Sequence, residues 1–335
     1  METSVLETNE NSIDKAAELL KNGEIVGIPT ETVYGLAANA LNTDAVRKIF
    51  AAKGRPQDNP LILHIANLKM LDDIAAEIPE LALTLAHKFW PGSLTMIFPK
   101  KPHVPLETTG GLETAAVRMP NNKWTLKLIE KCGFPLAAPS ANTSGLPSPT
   151  EADHVFRDMN GKIPLILDGG SCSCGVESTV ICFTEKGVKI LRPGAVTVEM
   201  LREFTDVEVD KSVLSKLDNG EKPLSPGMKY KHYSPKAEVI IVQTDDCSLF
   251  ADYVNKHGGE NVYVLAYGTE TGIKAKQLPY GKTAEEQAAT LFASLRKADE
   301  IGAERVYVRS PHTDGIGLAV YNRLLRSAGF NVVKL

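Results

Sequence analysis

Residues 12–54, SIDKAAELLKNGEIVGIPTETVYGLAANALNTDAVRKIFAAKG, decide how the rest of the chain is read. Ser12 can cap a helix over Ile13–Lys21, and Gly23 stops it. Glu24–Pro29 (EIVGIP) is a short apolar run of strand type, and Thr43 opens a second helix that ends at Lys53–Gly54. Helix, strand and helix in one short stretch predict an α/β layering. The pattern continues, with strands expected at Leu61–Ile65, Leu94–Phe98, Ala115–Arg118, Pro164–Leu167, Ser178–Phe183 and Val188–Leu191. Helices fit near Leu81–Phe89, Lys123–Lys131 and Glu151–Met159.

The texture changes after residue 206. Residues 207–236 are charged and contain Pro and Gly, ending in SPGMKYKHYSPK, and read as an interdomain linker. Beyond it, β-branched runs at Val239–Val242, Val262–Ala266 and Val306–Val308 alternate with helical segments. Thr283 and Glu286 form a capping box, and a last helix over Leu318–Ser327 is stopped by Gly329 before a strand-like Asn331–Leu335. The expected organisation is a domain over 1–206, the linker, and a smaller domain over 237–335.

Composition narrows the function. The 335 residues are 43% hydrophobic and 23% charged, ordinary globular values that exclude a disordered or collagenous chain. No apolar run approaches the ~18 residues of a membrane span. The acidic first turns carry no secretory pattern, and the five cysteines fit reduced thiols in a cytoplasmic protein. A net charge of -4 speaks against a broad nucleic-acid footprint but leaves room for a local anion site. Gly281-Lys282-Thr283 lacks the first glycine of a P-loop, and Gly315-Ile316-Gly317 lacks the third of a dinucleotide fingerprint. Cys172-Ser173-Cys174 has no second close pair to make a metal site. Neither HExxH nor GxSxG occurs.

The chemistry-bearing residues gather in loops next to expected strands. PTETVYGL (29–36) offers hydroxyls, a carboxylate and a phenol; KGRP (53–56) offers two cations within three residues. In TAAVR (114–118), Arg118 shares a strand face with Thr114 and Ala116, which suits a fork aimed at a carboxylate. AAPSANTSG (137–145) is small and polar, so a ligand can approach its backbone. GVESTV (175–180) and LRPG (191–194) repeat the hydroxyl or Arg at a strand boundary, while His64 alone reads as a core histidine. Cations among hydroxyls, with no evident nucleophile, fit phosphoryl or nucleotidyl chemistry done by positioning.

PTETVYGLAANA, KGRPQDNPLILHI, AAVRMP, AAPSANTSG, GVESTVI and ILRPGAV, in this order, resemble the Sua5/YciO/YrdC family, and PGMKYKHYSP with GIGLAVYNRL resembles its long, Sua5-type form. The resemblance implies a YrdC-like twisted mixed sheet with helices, plus a C-terminal Rossmann-like α/β/α domain. It implies a nucleotidyltransferase that condenses L-threonine, bicarbonate and ATP, with Mg2+, to threonylcarbamoyl-AMP and pyrophosphate. The product would be handed to a tRNA threonylcarbamoyltransferase for N6-threonylcarbamoyladenosine (t6A37), with weak RNA contact as a further option. By the same resemblance, Thr32, His64, Arg118, Ala138 and Ser178 bind threonine. Lys53, Arg55, Asn59, Thr114, Ser140, Ser148, Arg192 and Tyr230 bind ATP, with Tyr233 as the alternative tyrosine. Lys229, Tyr230 and Lys231 on the linker are expected to cover the site. A related enzyme carbamoylating another amine, or an RNA-binding module without catalysis, are the competing readings.

Overall fold

The computed structural model describes residues 2–215, 233–268 and 270–335. The chain forms two units. The first comprises residues 1–144, 148–173 and 177–229; the second comprises 145–147, 174–176 and 230–335.

Unit 1 is built on strands β1 (Ser4–Glu7), β2 (Val26–Ile28), β3 (Gly35–Asn39), β4 (Ile62–His64), β5 (Leu94–Pro99), β6 (Thr114–Arg118), β7 (Leu136–Ala137), β8 (Leu165–Asp168), β9 (Thr179–Phe183), β10 (Gly187–Arg192) and β11 (Asp206–Val209). They form one mixed sheet in the order β1-β8-β2-β3-β7-β4-β6-β5-β9-β10-β11. Its helices are α1 (Glu10–Lys21), α2 (Thr43–Lys53), α3 (Leu68–Ile74), α4 (Glu80–Phe89), α5 (Lys123–Cys132), α6 (Ala152–Met159) and α7 (Val198–Arg202). Strand alternation divides the core between the sheet faces. Leu165 and Leu167 pack with Val26, Ile28 and the apolar stripes of α1 (Ile13, Ala16, Leu20) and α5 (Leu128, Ile129). Ile166 points the other way, into a cluster with Leu36, Ala38, Val46, Ile49 and Val155. Burial on both faces explains why these strands read as unbroken apolar runs rather than as alternation.

Local signals were placed well, with informative shifts. The cap of α1 is Asn9; Ser12 sits three residues inside the helix and completes the capping box from there. Helix α2 is capped by Asn42, whose side chain accepts from the Asp44 and Ala45 N–H groups, and it ends on Gly54 at φ 62. β3 occupies what reads as a loop, because Gly35, Leu36 and two alanines carry little strand propensity and are held by pairing to β2 and β7. β11, at the margin of the expected linker, pairs parallel with β10.

Unit 2 holds β12 (Glu238–Gln243), β13 (Val262–Ala266), β14 (Lys276–Pro279), β15 (Arg305–Arg309) and β16 (Val332–Lys334), with α8 (Cys247–Lys256), α9 (Ala284–Glu300) and α10 (Gly317–Ser327). The sheet is parallel throughout, in the order β14-β13-β15-β12-β16. Ile240, Val242, Val262 and Val264 pack on Phe250 and Val254 of α8. Thr283 and Glu286 form the expected capping box at α9. β14 escapes sequence reading because KQLP is polar, partly exposed and ends in Pro at a sheet edge.

Candidate functional site

Strand directions bring His64, Arg118, Ser178 and Arg192 to one end of the unit 1 sheet. β4 and β6 run parallel with His64 opposite Arg118, so both side chains leave the same strand ends. β5 and β9 begin at that end, with Leu94 opposite Thr179, and β10 finishes there at Arg192, opposite Val180. The turn between β2 and β3 leaves the opposite strand ends, since β3 runs parallel to β4 across β7, and its Glu31 and Thr32 reach Arg118 through their side chains. Backbone bonds clamp neighbouring loops to it. Tyr34 N–H donates to Pro149 O at 2.8 Å, Ala141 N–H to Tyr34 O at 2.8 Å and Leu36 N–H to Pro139 O at 2.8 Å. The PTET turn, the 138–142 loop and the Ser148–Pro149 segment are therefore fixed side by side.

Arg118 is the centre of one cluster. Its side chain is 4% exposed. Nε donates to Gly92 O at 3.0 Å and Nη1 to Thr32 Oγ1 at 2.8 Å. Thr30 Oγ1 spends its proton on Val33 O at 2.6 Å, so the Thr32 hydroxyl donates to Thr30 across 2.8 Å and accepts from Arg118. Glu31 Oε1 lies 2.6 Å from Arg118 Nη2, and Ser93 Oγ donates to the same oxygen at 3.2 Å. Burial alone would raise the Glu31 pKa; the Arg118 charge and hydrogen bonding outweigh it and hold the carboxyl below its ordinary value. His64 is buried, its Nδ1 3.1 Å from Ile62 O. Burial, assisted by Arg118, pushes its pKa down to about 3, so the ring is neutral near pH 7.

A second cluster adjoins it along the sheet end. Arg192 Nε donates to Ser178 O at 3.0 Å and Nη2 to Ser178 Oγ at 3.1 Å, while Ser178 Oγ lies 2.7 Å from Thr95 Oγ1. Gly194 makes this possible. A Cβ there would stand 2.3 Å from Thr179 N and 2.7 Å from Glu177 O. Ser148 Oγ donates to Glu177 Oε1 at 2.5 Å.

The third cluster starts at the last residue of α2. Lys53 is buried and Nζ donates to Ser140 O and, at 2.5 Å, to Asn142 O. Arg55 and Asn59 are buried in the following turn, where Arg55 Nη2 donates to Pro60 O at 3.3 Å. Asn59 Oδ1 is buried without a hydrogen-bond partner among the described residues. Ala138 spends its N–H on Ile62 O at 3.0 Å, so its carbonyl is the backbone group it can offer a ligand. Thr114 opens β6 at the end of the strand remote from Arg118, about 13 Å away at the strand rise, and the β4–β6 register sets it level with Pro60 of the third cluster.

Tyr230 lies outside the described residues, as do Lys229 and Lys231. The alternative, Tyr233, is 2% exposed and packs within unit 2, its ring 5.1 Å from Phe292 with Arg323 over it at 5.6 Å. Sequence reasoning passed over Ser93, Thr95 and the role of Glu31. Thr95 is a lone hydroxyl in an apolar strand, which is the signal available for it. Among the described residues no group of three or more His, Cys, Asp or Glu could cage a metal, and no helix is long and apolar enough to cross a membrane. None of the five cysteines is in a disulfide.

The chain matches known proteins over nearly all of its length. Residues 18–194 match the Sua5/yciO/yrdC model, described as telomere recombination, and residues 196–329 match the model for the threonylcarbamoyl-AMP synthase C-terminal domain. The chain is 45% identical to the threonylcarbamoyl-AMP synthase of Bacillus subtilis, covering 99% of this chain and 97% of that protein. It is 46% identical to the Pyrococcus abyssi enzyme of the same name, over 96% of this chain and 95% of that protein. The structure of P. abyssi Sua5 complexed with L-threonine superposes with a TM-score of 0.92 at 44% identity, covering 99% of this chain and 98% of that one. From its first strand pair to its last helix, the chain belongs to the Sua5/YciO/YrdC family and carries the Sua5-type C-terminal domain.

Proposed function

We propose that this chain is an L-threonylcarbamoyladenylate synthase, a nucleotidyltransferase that joins L-threonine, bicarbonate and ATP into threonylcarbamoyl-AMP and releases pyrophosphate. The observation that carries the reading is Arg118, buried and fixed by Gly92 O and Thr32 Oγ1 in a chain whose relatives bear that activity in their names. A guanidinium so held is preorganised for a carboxylate, and Thr32 and His64 beside it, with Ala138 and Ser178, would hold the rest of threonine. Lys53, Arg55 and Arg192, with Asn59, Thr114, Ser140 and Ser148, would receive the triphosphate and nucleoside. Mg2+ enters as part of the MgATP substrate, its remaining ligands being phosphates and water.

The residues act by holding two substrates against each other. The threonine nitrogen takes up the bicarbonate carbon, and a carbamate oxygen then attacks the α-phosphorus as pyrophosphate departs. Charge moving onto the leaving group is met by Lys53, Arg55 and Arg192. A carbamate loses CO2 in water, so burial of Thr32, His64, Arg118 and Ser178 favours its survival. We assign the product to a cytoplasmic tRNA threonylcarbamoyltransferase as its consumer, and the linker around Tyr230 to covering the bound nucleotide.

The test is incubation with ATP, Mg2+, bicarbonate and each amino acid in turn, followed by mass spectrometry. An adenylate with the mass of threonylcarbamoyl-AMP, formed with threonine and absent with serine, is expected. An adenylate formed equally with other amines would replace threonine by a different substrate, and none at all would overturn the assignment.

A further inference from the structure

We infer that Glu31 is the group that receives the substrate's amino nitrogen, so that Arg118 and Glu31 together form a seat for an α-amino acid zwitterion, and that Glu31 takes the ammonium proton before carbamate forms. The inference rests on the threonine reading above and adds to it the residue that handles the amine.

Three observations support it. The Glu31 side chain is 10% exposed and its Oε1 lies 2.6 Å from Arg118 Nη2, so a negative and a positive group stand next to each other at the sheet end. Glu31 Oε2 is buried and makes no well-formed hydrogen bond among the described residues, the backbone N–H groups of Asn121 and Glu31 being its nearest donors. A buried carboxylate oxygen with only poorly aligned donors costs stability, and a cationic donor arriving with the substrate would reduce that cost. Finally, two of the three Arg118 nitrogens are committed to Gly92 O and Thr32 Oγ1, while Nη2 faces only the Glu31 carboxylate at ion-pair distance among the described residues. An amino acid presents a carboxylate and an ammonium two bonds apart, which is the complement of this pair. The groups facing Glu31 are Arg118 from β6, the Ser93 hydroxyl before β5, the neutral His64 from β4 and the backbone N–H of Asn121.

The step balances without another reactant. R–NH3+ and HCO3− give R–NH–COO−, H2O and H+. The N–H bond breaks and its proton passes to Glu31 Oε2. The nitrogen lone pair then forms the N–C bond, and the bicarbonate hydroxyl takes the second N–H proton and leaves as water. While Arg118 pairs with Glu31 the carboxylate is ionised but weakly basic. When the substrate carboxylate engages Arg118, Glu31 shares its counter-ion and becomes a better proton acceptor.

Glu31→Gln keeps the shape and removes the charge. Pyrophosphate release at pH 7 should fall by about 10²–10³-fold, within the range for loss of a general base. The deficit should shrink only as pH approaches roughly 9, where the ammonium of a free amino acid, held above the peptide N-terminal value by its own carboxylate, sheds its proton unaided. ATP affinity should stay within about twofold, and Glu31→Asp should recover part of the rate. A binding probe reads the seat without catalysis: 3-hydroxybutyrate is threonine without its amine. The wild-type chain should prefer threonine over it by on the order of a hundredfold, and Glu31→Gln by less than about tenfold. A variant with unchanged rate, pH profile and discrimination would overturn the inference. Should Glu31→Gln fail to fold, Glu31→Asp carries the test through its pH profile. Absence of threonine-dependent turnover in the wild type would sink the functional reading instead, and the discrimination between the two ligands would then decide the role of Glu31 by itself.

Discussion

Replacing Arg118 by alanine removes a charge with three commitments: Gly92 O at 3.0 Å, Thr32 Oγ1 at 2.8 Å and Glu31 Oε1 at 2.6 Å. In the free protein the main consequence falls on Glu31, left in a buried position without its counter-ion. Breaking a buried pair from one side costs about 3–5 kcal/mol, less whatever Glu31 recovers by taking up a proton. For threonine, the loss is that of one or two charge-assisted hydrogen bonds to its carboxylate, about 1.5–3 kcal/mol each. At about 1.4 kcal/mol per decade this is roughly 10- to 10⁴-fold in threonine affinity. ATP meets Lys53, Arg55 and Arg192 instead and should bind within about threefold of wild type. Isothermal titration of each substrate separates the two effects, and Arg118→Lys should fall between wild type and alanine, because an ammonium retains the charge but not the fork. An equal loss of threonine and ATP binding in a variant that keeps its circular dichroism spectrum would refute the division of the site into an amino acid side and a phosphate side.

Three other perturbations test separate parts of the argument. Lys53→Met preserves volume but withdraws the donor from Ser140 O and Asn142 O, so urea denaturation should show a loss of about 2–5 kcal/mol and ATP binding should weaken at least tenfold; a stable variant would mean those carbonyls find other donors. Gly194→Ala puts a methyl 2.3 Å from Thr179 N, so turnover should collapse through displacement of Ser178, and an active variant with an unshifted β9 would contradict the packing argument. His64, with its pKa lowered to about 3 by burial and Arg118, makes the unfolded chain bind more protons than the folded one between pH 3 and about 6.5. Its stabilisation is therefore complete above about pH 6.5 and is lost as pH falls through that window. Glu31, also lowered, adds a loss that begins below about pH 4.3. Denaturation midpoints of His64→Gln should stay flat down to about pH 4.5, and a slope equal to wild type between pH 6.5 and 4.5 would remove His64 as its source.

What the sequence revealed and what it hid follow from the range of the forces involved. Caps, helix lengths and apolar runs depend on neighbours a few residues away, and α2, α5, β5, β10 and the Thr283–Glu286 box were legible for that reason. β3 and β7 were obscure because their residues, mostly Ala, Gly and Leu, become strands only through partners elsewhere in the chain. The motifs identified Arg118, Lys53 and Arg192 through residue type and family resemblance, but no spacing rule joins Arg118 to Gly92 or Thr95 to Ser178. Those contacts exist because β4, β6 and β10 end where β5 and β9 begin. The same long-range origin explains Glu31: in the string it is one letter of PTET, and its character appears only when β6 brings a guanidinium beside it.

The contacts of the cations carry this one step further. Lys53 holds the backbone of the 140–142 loop, Arg55 that of Pro60, and Arg192 that of Ser178. Each cation expected to meet phosphate therefore grips the main chain of a loop that carries another expected ligand group. A triphosphate that competed for Lys53 would loosen Ser140 and Asn142; one that left Lys53 in place would find its charge already aimed by two carbonyls. The geometry favours the second case, since a buried ammonium on two carbonyl oxygens keeps its charge while losing the side-chain freedom that binding would otherwise have to remove. Amide exchange at Ser144, whose N–H donates to Lys53 O at 2.9 Å, distinguishes them. Protection that rises or holds on addition of MgATP agrees with a preset cation, and protection that falls means the nucleotide draws Lys53 off its loop.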